Sequence, residues 1–327
     1  QLIKVIEKAE QLYQKEKKSI IKENMINNIK TTIVDDYLYV WEKLNTDGIR
    51  LLHMYGKIPE AYVCDTIENL PVTEIAPYCF TEKKKEALEA AGITVPYDMT
   101  SLSGQYVSRI ILPDSLKTVK EDAFEVTGIN KIEFSENVET IGPKAIIGCK
   151  NLKEINVSLQ NKFYTEVDGV LFDKNMETLL VYPGANENEE YIVPDGIRRI
   201  DKVAFAGCSN LKKIILPETL EDIGIGAFED CSELKEIEIP YNVKKLPHLL
   251  FMRCTSIENI YLPYGLEEID DWALACDSEN LKEIVIPETV DSISDYAFSD
   301  DTELLVREDS YAYVWSQAHS RKYRCIE

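Results

Sequence analysis

The chain has 327 residues, of which 45% are hydrophobic and 29% are charged. Asp and Glu number 58 against 36 Lys and Arg, which gives a net charge of -22. A surface this acidic repels phosphate backbones, so we expect no nucleic-acid partner. The apolar share is large enough for a folded core and excludes a disordered chain. Only three histidines occur, so we predict no metal site and no cofactor.

No stretch approaches the ~20 apolar residues that span a bilayer, so we expect no membrane insertion. The start of the chain carries no short basic-then-apolar leader of the secretory type. This leaves the localisation open between the outside of the cell and the cytoplasm.

Residues 1–34 place apolar side chains at helical spacing, for example at Leu2, Val5, Ile6 and Ala9. This pattern predicts one or two amphipathic helices. Seven Lys against four Glu make the segment basic, in contrast to the acidic remainder. We predict an N-terminal helical cap at residues 1–34, with a clasp on the protein itself or on a partner as the alternative.

Residues 35–306 are periodic. Pairs of the Ala-Phe type recur with the same period as a set of prolines, which are spaced 23 or 24 residues apart. These are Pro194, Pro217, Pro240, Pro263 and Pro287, with Pro113 in the same slot upstream. One copy reads Leu234-Lys-Glu-Ile-Glu-Ile-Pro240, whose alternation predicts a short strand with one buried face. Proline ends the strand, and because one strand cannot form a core, the units must stack into a solenoid.

Two segments interrupt the repeat. In residues 81–105, Thr81 is a candidate N-cap, Glu86 to Ala91 reads as helix and Gly92 as its end. This helical insertion is either a specificity loop or an inert bulge. In residues 158–190, Asp168-Gly169 separates two alternating runs and predicts an inserted β-hairpin.

The repeat unit resembles the BspA-like class of bacterial leucine-rich repeats over about residues 37–327. Leu70-Pro-Val-Thr-Glu-Ile75 is similar to the first repeat of that family, and Asp309-Ser-Tyr-Ala312 is similar to its closing cap, here residues 307–327. The resemblance implies a leucine-rich-repeat solenoid, mainly β with a parallel sheet of short strands, N-terminal helices and one inserted hairpin.

The same resemblance implies a function. We expect a non-catalytic protein-interaction scaffold, a bacterial cell-surface or secreted protein with a binding or adhesion role. The expected partner is a host or bacterial protein, and the chain is expected to be a monomer. The alternative is an intracellular protein-interaction scaffold in the cytoplasm.

Five of the eight cysteines occupy one slot of the repeat, shortly after the Ala-Phe-type pair: Cys149, Cys208, Cys231, Cys254 and Cys276. Cysteine in such a slot behaves as a small buried hydrophobe, so we predict free, buried thiols. Stacked strands lie ~4.8 Å apart, which leaves a bridge such as Cys208–Cys231 open on distance alone.

The polar slots that flank the central aliphatic residue of each strand are expected to line up on the inner, concave face of the stack. One column comprises Arg109, Lys131, Glu154, Lys213, Glu236, Asn259 and Glu283. The other comprises Ile111, Glu133, Asn156, Ile215, Glu238, Tyr261 and Val285. Apolar residues where solvent is expected favour a partner-binding face, although parallel sheets also tolerate β-branched residues on either face.

A second ladder, made of charged residues, is expected between the two apolar residues of each Val-x-x-Ile segment. Arg198-Arg199, Glu221-Asp222, Lys244-Lys245 and Glu267-Glu268 alternate in sign from turn to turn. Opposite charges on stacked neighbours specify register rather than form a site.

The remaining motifs carry no chemistry. Gly224-Ile-Gly226 lacks the third glycine of a dinucleotide-binding loop, because Glu229 stands in its place. Leu216-Pro-Glu-Thr219 resembles a sortase signal, but Ile286-Pro-Glu-Thr289 occupies the same repeat slot, which indicates a structural origin. Numerous carboxylates keep a glycosidase-like pair as a further hypothesis. We predict no enzyme and no catalytic residue.

Overall fold

The computed structural model describes residues 29–56, 59–93, 95–96 and 99–327. The predicted N-terminal helices therefore lie mostly outside the described residues. Where the prediction can be compared, it is wrong, because Ile29–Val34 is a β-strand. Its run of β-branched residues pairs antiparallel with the next strand, with Thr31 opposite Val40.

An antiparallel meander precedes the repeats. It consists of β1 (Ile29–Val34), β2 (Tyr37–Lys43) and β3 (Ile49–Gly56). Trp41, Tyr39 and Met54 are fully buried in it. The meander joins the stack through β3, which pairs parallel with β6 (Leu70–Ile75). Residues 35–56, which the sequence analysis assigns to the solenoid, thus belong to an antiparallel sheet that precedes it.

Each repeat contributes one strand to each of two rows, which confirms the mainly β solenoid. The first row contains β4 (Glu60–Tyr62), β8 (Arg109–Ile111), β10 (Lys131–Phe134), β12 (Glu154–Val157), β16 (Glu190–Ile192), β18 (Lys213–Ile215), β20 (Glu236–Glu238), β22 (Asn259–Tyr261), β24 (Glu283–Val285), β26 (Glu303–Arg307) and β27 (Tyr323–Ile326). The pairs in this row are parallel, as between β20 and β22. The repeated proline after the strand keeps it short.

The second row is formed by the Val-x-x-Ile part of each repeat. Besides β6 it contains β9 (Thr118–Val119), β11 (Thr140–Ile141), β15 (Thr178–Val181), β17 (Arg199–Ile200), β19 (Asp222–Ile223), β21 (Lys245–Leu246), β23 (Glu268–Ile269) and β25 (Ser292–Ile293). Two short strands, β5 (Thr66–Ile67) and β7 (Thr100–Ser101), flank β6 and β3.

The third side of each turn carries the Ala-Phe-type pair and supplies the core. Phe205, Phe228 and Phe251 are fully buried, and consecutive rings lie 5.4 Å apart. The cysteine that follows donates its thiol hydrogen to the preceding turn: Cys231 Sγ lies 3.2 Å from the carbonyl oxygen of Phe205. The predicted free, buried thiols are confirmed at all five repeat positions, and no bridge joins Cys208 to Cys231.

Both predicted insertions contain the expected elements. Helix α1 (Glu82–Ala90) begins after Thr81, whose side chain accepts the N–H of Lys84. The hairpin joins β13 (Tyr164–Val167) to β14 (Val170–Asp173), with positive φ at Asp168 and Gly169. Its extent is smaller than residues 158–190, because the chain returns to the second row at β15 and to the first row at β16.

The C-terminal segment closes the stack. Helix α2 (Tyr311–Ala318) starts after Ser310, whose hydroxyl accepts the N–H of Tyr313. Its Trp315 covers Phe298, the last phenylalanine of the repeat, with ring centroids 5.7 Å apart. Neither helix in the described part of the chain has the length and hydropathy needed to cross a bilayer.

Candidate interaction surface

The third residue of each first-row strand from β4 to β26 faces away from the core. We call these residues the outer column, because they lie on the side of the strands opposite the core. Strand pairing places Glu133 opposite Asn156, and Glu238 opposite Tyr261. Strand pairing therefore aligns the predicted residues within four separate segments of the row, β4–β8, β10–β12, β16–β22 and β24–β27. It also adds two that we had not predicted, because Tyr62 pairs with Ile111, and Ile192 with Ile215.

Apolar side chains in the outer column reach solvent. The exposed fractions are 64% for Ile192, 38% for Ile215, 54% for Tyr261 and 50% for Val285. Ile192 and Ile215 are neighbours in register, whereas the charged Glu238 separates them from Tyr261. Exposed apolar side chains aligned on flat strands are typical of contact surfaces.

The outer column ends at β26. Its residue there, Leu305, is buried and lies opposite Arg324 of β27. The guanidinium of Arg324 lies 2.6 Å from a carboxylate oxygen of Glu283 and 3.4 Å from one of Glu303. The C-terminal cap thus closes the apolar part of the column.

Most charged side chains of the other predicted column form ion pairs within the first row. Lys131 pairs with Glu154 at 2.8 Å and Lys213 with Glu236 at 3.1 Å, while Arg109 lies 3.9 Å from Glu60. Lys131 also reaches Glu133 of the outer column at 3.0 Å. The hydrogen bonds that Lys131 donates to Glu154 and Glu133 raise its pKa. Of its other two members, Glu283 is held by Arg324, and the Asn259 side chain is exposed.

Two exposed tyrosines extend the aromatic surface where first-row strands end. Tyr241 and Tyr264 each follow the repeat proline directly, and they are 58% and 62% exposed. The hydroxyl group of Tyr264 donates to Glu288 at 3.2 Å. The sequence did carry a signal for them, because an aromatic residue after Pro240 and Pro263 departs from the charged residue after Pro194, Pro217 and Pro287.

The second charge ladder pairs as predicted in most positions. Arg198 meets Glu221 at 2.7 Å, and Lys245 meets Glu268 at 2.9 Å. Lys244 differs, because its ammonium lies 4.6 Å above the ring of Tyr241. These side chains fix the register of the stack and leave the outer column as the candidate site.

Comparison with known sequences agrees with this architecture. The sequence profile of a family described as "BspA type Leucine rich repeat region" matches residues 73–176 and 182–305, with six copies. A search of curated proteins finds no match.

Two solved structures share the fold. A leucine rich cell surface protein from Faecalibacterium prausnitzii A2-165 is 21% identical, with a TM-score of 0.62, over 88% of this chain and 97% of that chain. The pneumococcal vaccine antigen PcpA is 16% identical, with a TM-score of 0.58, over 91% of this chain and 99% of that chain.

Proposed function

Because the chain belongs to the BspA-type leucine-rich-repeat family, we propose that it is a non-catalytic scaffold that binds a protein partner through the outer column. Repeat solenoids offer extended surfaces for binding. The observation that carries the proposal is the exposure of Ile192, Ile215 and Tyr261 on one hydrogen-bonded sheet, and of Val285 on the first-row strand that follows it.

The energetics favour these residues over the charged column beside them. Exposed ion pairs such as Lys213–Glu236 contribute about 0–1 kcal/mol, and a partner must strip their water to contact them. Apolar and aromatic side chains release water when covered, and tyrosine is enriched among residues that dominate binding energy. We therefore assign the partner contact mainly to the outer column.

Four carboxyl groups have a pKa opposite in direction to that of a general acid. A glycosidase-like general acid needs a raised pKa. Here the pKa values of Glu82, Glu187, Asp230 and Glu288 are all lowered, by hydrogen bonds from Ser103, Lys153, Arg253 and Arg307 respectively. These four carboxyl groups are tuned for ion pairing rather than for proton donation.

We propose that the protein lies on the bacterial cell surface or is secreted, with an adhesion role. The support is the fold shared with a protein described as a cell surface protein and with a vaccine antigen. A second candidate is an intracellular scaffold. The cysteines favour it, because all eight are free and Cys325 is exposed, whereas oxidising compartments promote disulfides.

The test is a quantitative pull-down from host extracellular matrix and, separately, from lysate of the source bacterium. The bait is the full chain, either unchanged or with Ile215→Ser and Tyr261→Ala. Tyr311→Ala is the matched control, because Tyr311 is 44% exposed but lies outside the outer column. We expect a host protein whose capture falls at least tenfold with the column variant and is unchanged with the control.

Capture from bacterial lysate alone, with the same dependence on the column, would favour the intracellular scaffold. Equal capture by all three baits would contradict the assignment of the outer column.

A further inference from the structure

The turns that carry the Ala-Phe-type pairs are linked to one another by backbone hydrogen bonds, which we call the corner ladder. In one complete turn the donors and acceptors are Val203 to Ile225, Phe205 to Ala227, and Gly207 to Glu229. The next turn repeats this pattern with Gly226, Phe228 and Asp230 as donors. These two turns each offer three N–H groups to the turn that follows, and the turns that contain Phe124 and Phe251 each offer two.

The corner ladder is interrupted before the hairpin. Lys144, Ile146 and Gly148 occupy the donor slots, because Ala145-Ile146 aligns with Ala204-Phe205. Within the part of the chain that the structure describes, none of these three N–H groups donates to a protein acceptor. The reason is topological: β13 and β14 enter here, and the ladder resumes only at Tyr182, which donates to Ala204.

A cleft opens at the interruption. Its volume is about 390 Å³, within the about 300–1,000 Å³ of typical ligand pockets. Apolar side chains from both sides of the gap line it: Ile141, Ile146, Leu171, Leu180 and Val181. The cleft therefore combines an apolar lining with backbone donors that, elsewhere in the corner ladder, bond to the following turn.

The acidic residues that line the cleft are held in ion pairs, whereas two of its lysines are not. Among its acidic residues, Glu229 and Asp230 are both held by Arg253, at 2.6 Å each. Glu125 pairs with Lys83, and Asp201 with Arg199. Two exposed lysines, Lys144 and Lys202, also line the cleft, and no described residue forms an ion pair with them. On a chain of net charge -22, such unpaired cations favour an acidic ligand.

We propose that this cleft binds an extended acidic peptide segment of a partner protein. The carbonyl groups of the peptide accept hydrogen bonds from the N–H groups of Ile146 and Gly148, as the following turn does elsewhere in the ladder. Its apolar side chains pack on the lining, and its carboxylates meet Lys144 and Lys202. This is strand addition at a gap inside the stack rather than at a sheet edge, and it is separate from the outer column.

The probe is a fluorescent seven-residue peptide that alternates Asp and Leu, titrated into the full chain. We expect the double variant Lys144→Glu and Lys202→Glu to bind it at least tenfold more weakly. The matched control is Lys235→Glu with Lys282→Glu, which makes the same change in net charge at two exposed lysines away from the cleft. Tyr261→Ala, which tests the outer column, should bind the peptide as the unchanged protein does.

Hydrogen exchange followed by NMR supplies the second readout. In the complex, the amide protons of Ile146 and Gly148 should exchange at least tenfold more slowly than in the free protein. Those of Phe205 and Gly207, which already donate to Ala227 and Glu229, should not change.

Failure to bind, equal weakening by both double variants, or binding without slower exchange at Ile146 and Gly148 would each overturn the proposal. Dodecanoate is tested in parallel. If it binds with the same charge dependence and the peptide does not, the cleft takes a carboxylate lipid and the proposal is wrong.

Discussion

The rings of Phe228 and Phe251, 23 residues apart in the sequence, stack with their centroids 5.4 Å apart and their planes 8° from parallel. Each ring thus packs against its own equivalent in the next turn, which couples the period of the sequence to the core. We expect Phe228→Ala to lower the free energy of unfolding by about 3–5 kcal/mol, because it empties the space between two neighbouring rings. Urea unfolding measures this. Tyr261→Ala is the control, and a comparable loss for that variant would contradict its surface position.

Thiol reactivity separates the cysteines into two groups. Six of the eight are buried, while Cys64 is half-buried and Cys325 is exposed. Burial raises the pKa of Cys149 to about 11 and also raises that of Cys254. Since the thiolate is the reactive form, iodoacetamide should label Cys325 first and Cys64 more slowly, as read by mass spectrometry. Rapid labelling of Cys231 or Cys254 in the native protein would contradict the stacked core.

Gly224 lies where neighbouring turns approach closely. A Cβ atom there would lie 2.4 Å from the backbone nitrogen of Lys202. We expect Gly224→Ala to cost about 3 kcal/mol or more, since backbone cannot yield as a side chain does. Gly207→Ala is the matched control, because Gly207 has φ of +79° but no atom within 4 Å of the added methyl group. The Gly207→Ala variant should lose about 1–2 kcal/mol of stability. Thermal unfolding compares the two variants, and equal losses of stability would argue against a close contact at Gly224.

His53 is a buried titratable group that joins the meander to the helical insertion. Its Nδ1 bonds to the carbonyl oxygen of Cys79, and its Nε2 lies 2.7 Å from Ser101 Oγ. Burial lowers the pKa of His53 to about 4. In the unfolded chain, the side chain of His53 takes up a proton at about pH 6.5. The stabilisation of the folded protein by neutral His53 is therefore present above that pH and is lost as the pH falls toward 4.

We expect the stability advantage over His53→Gln to shrink by about 3 kcal/mol between pH 7.5 and pH 4. Urea unfolding of both proteins at each pH measures this difference and cancels the titration of the carboxylates they share. An advantage that stays constant over this range would show that His53 is not buried in its neutral form.

Local and repeated signals made most of the fold predictable. The strand pattern recurs along the stack, and the core phenylalanine and the buried cysteine return in several turns, so the copies support one another. Thr81 and Asp168-Gly169 are read from neighbouring residues alone, and both behave as expected. Ile29–Val34 was missed because long-range pairing with β2 decides its conformation.

The outer column was only partly predictable. Ile215, Tyr261 and Val285 follow from the period, and all three are exposed. Tyr62 was missed because β4 lacks the repeat proline, and Ile192 because it follows directly on the segment assigned to the insertion. The cleft could not be predicted, because it depends on hydrogen bonds that are missing where the hairpin separates two turns.

Hydroxyl-radical footprinting of the protein alone and with its captured partner tests the central claim most directly. Binding through the outer column predicts that oxidation of Tyr261 falls severalfold in the complex, while that of Tyr311 on α2 stays the same. A complex in which Tyr261 is oxidised as fast as in the free protein would contradict the account.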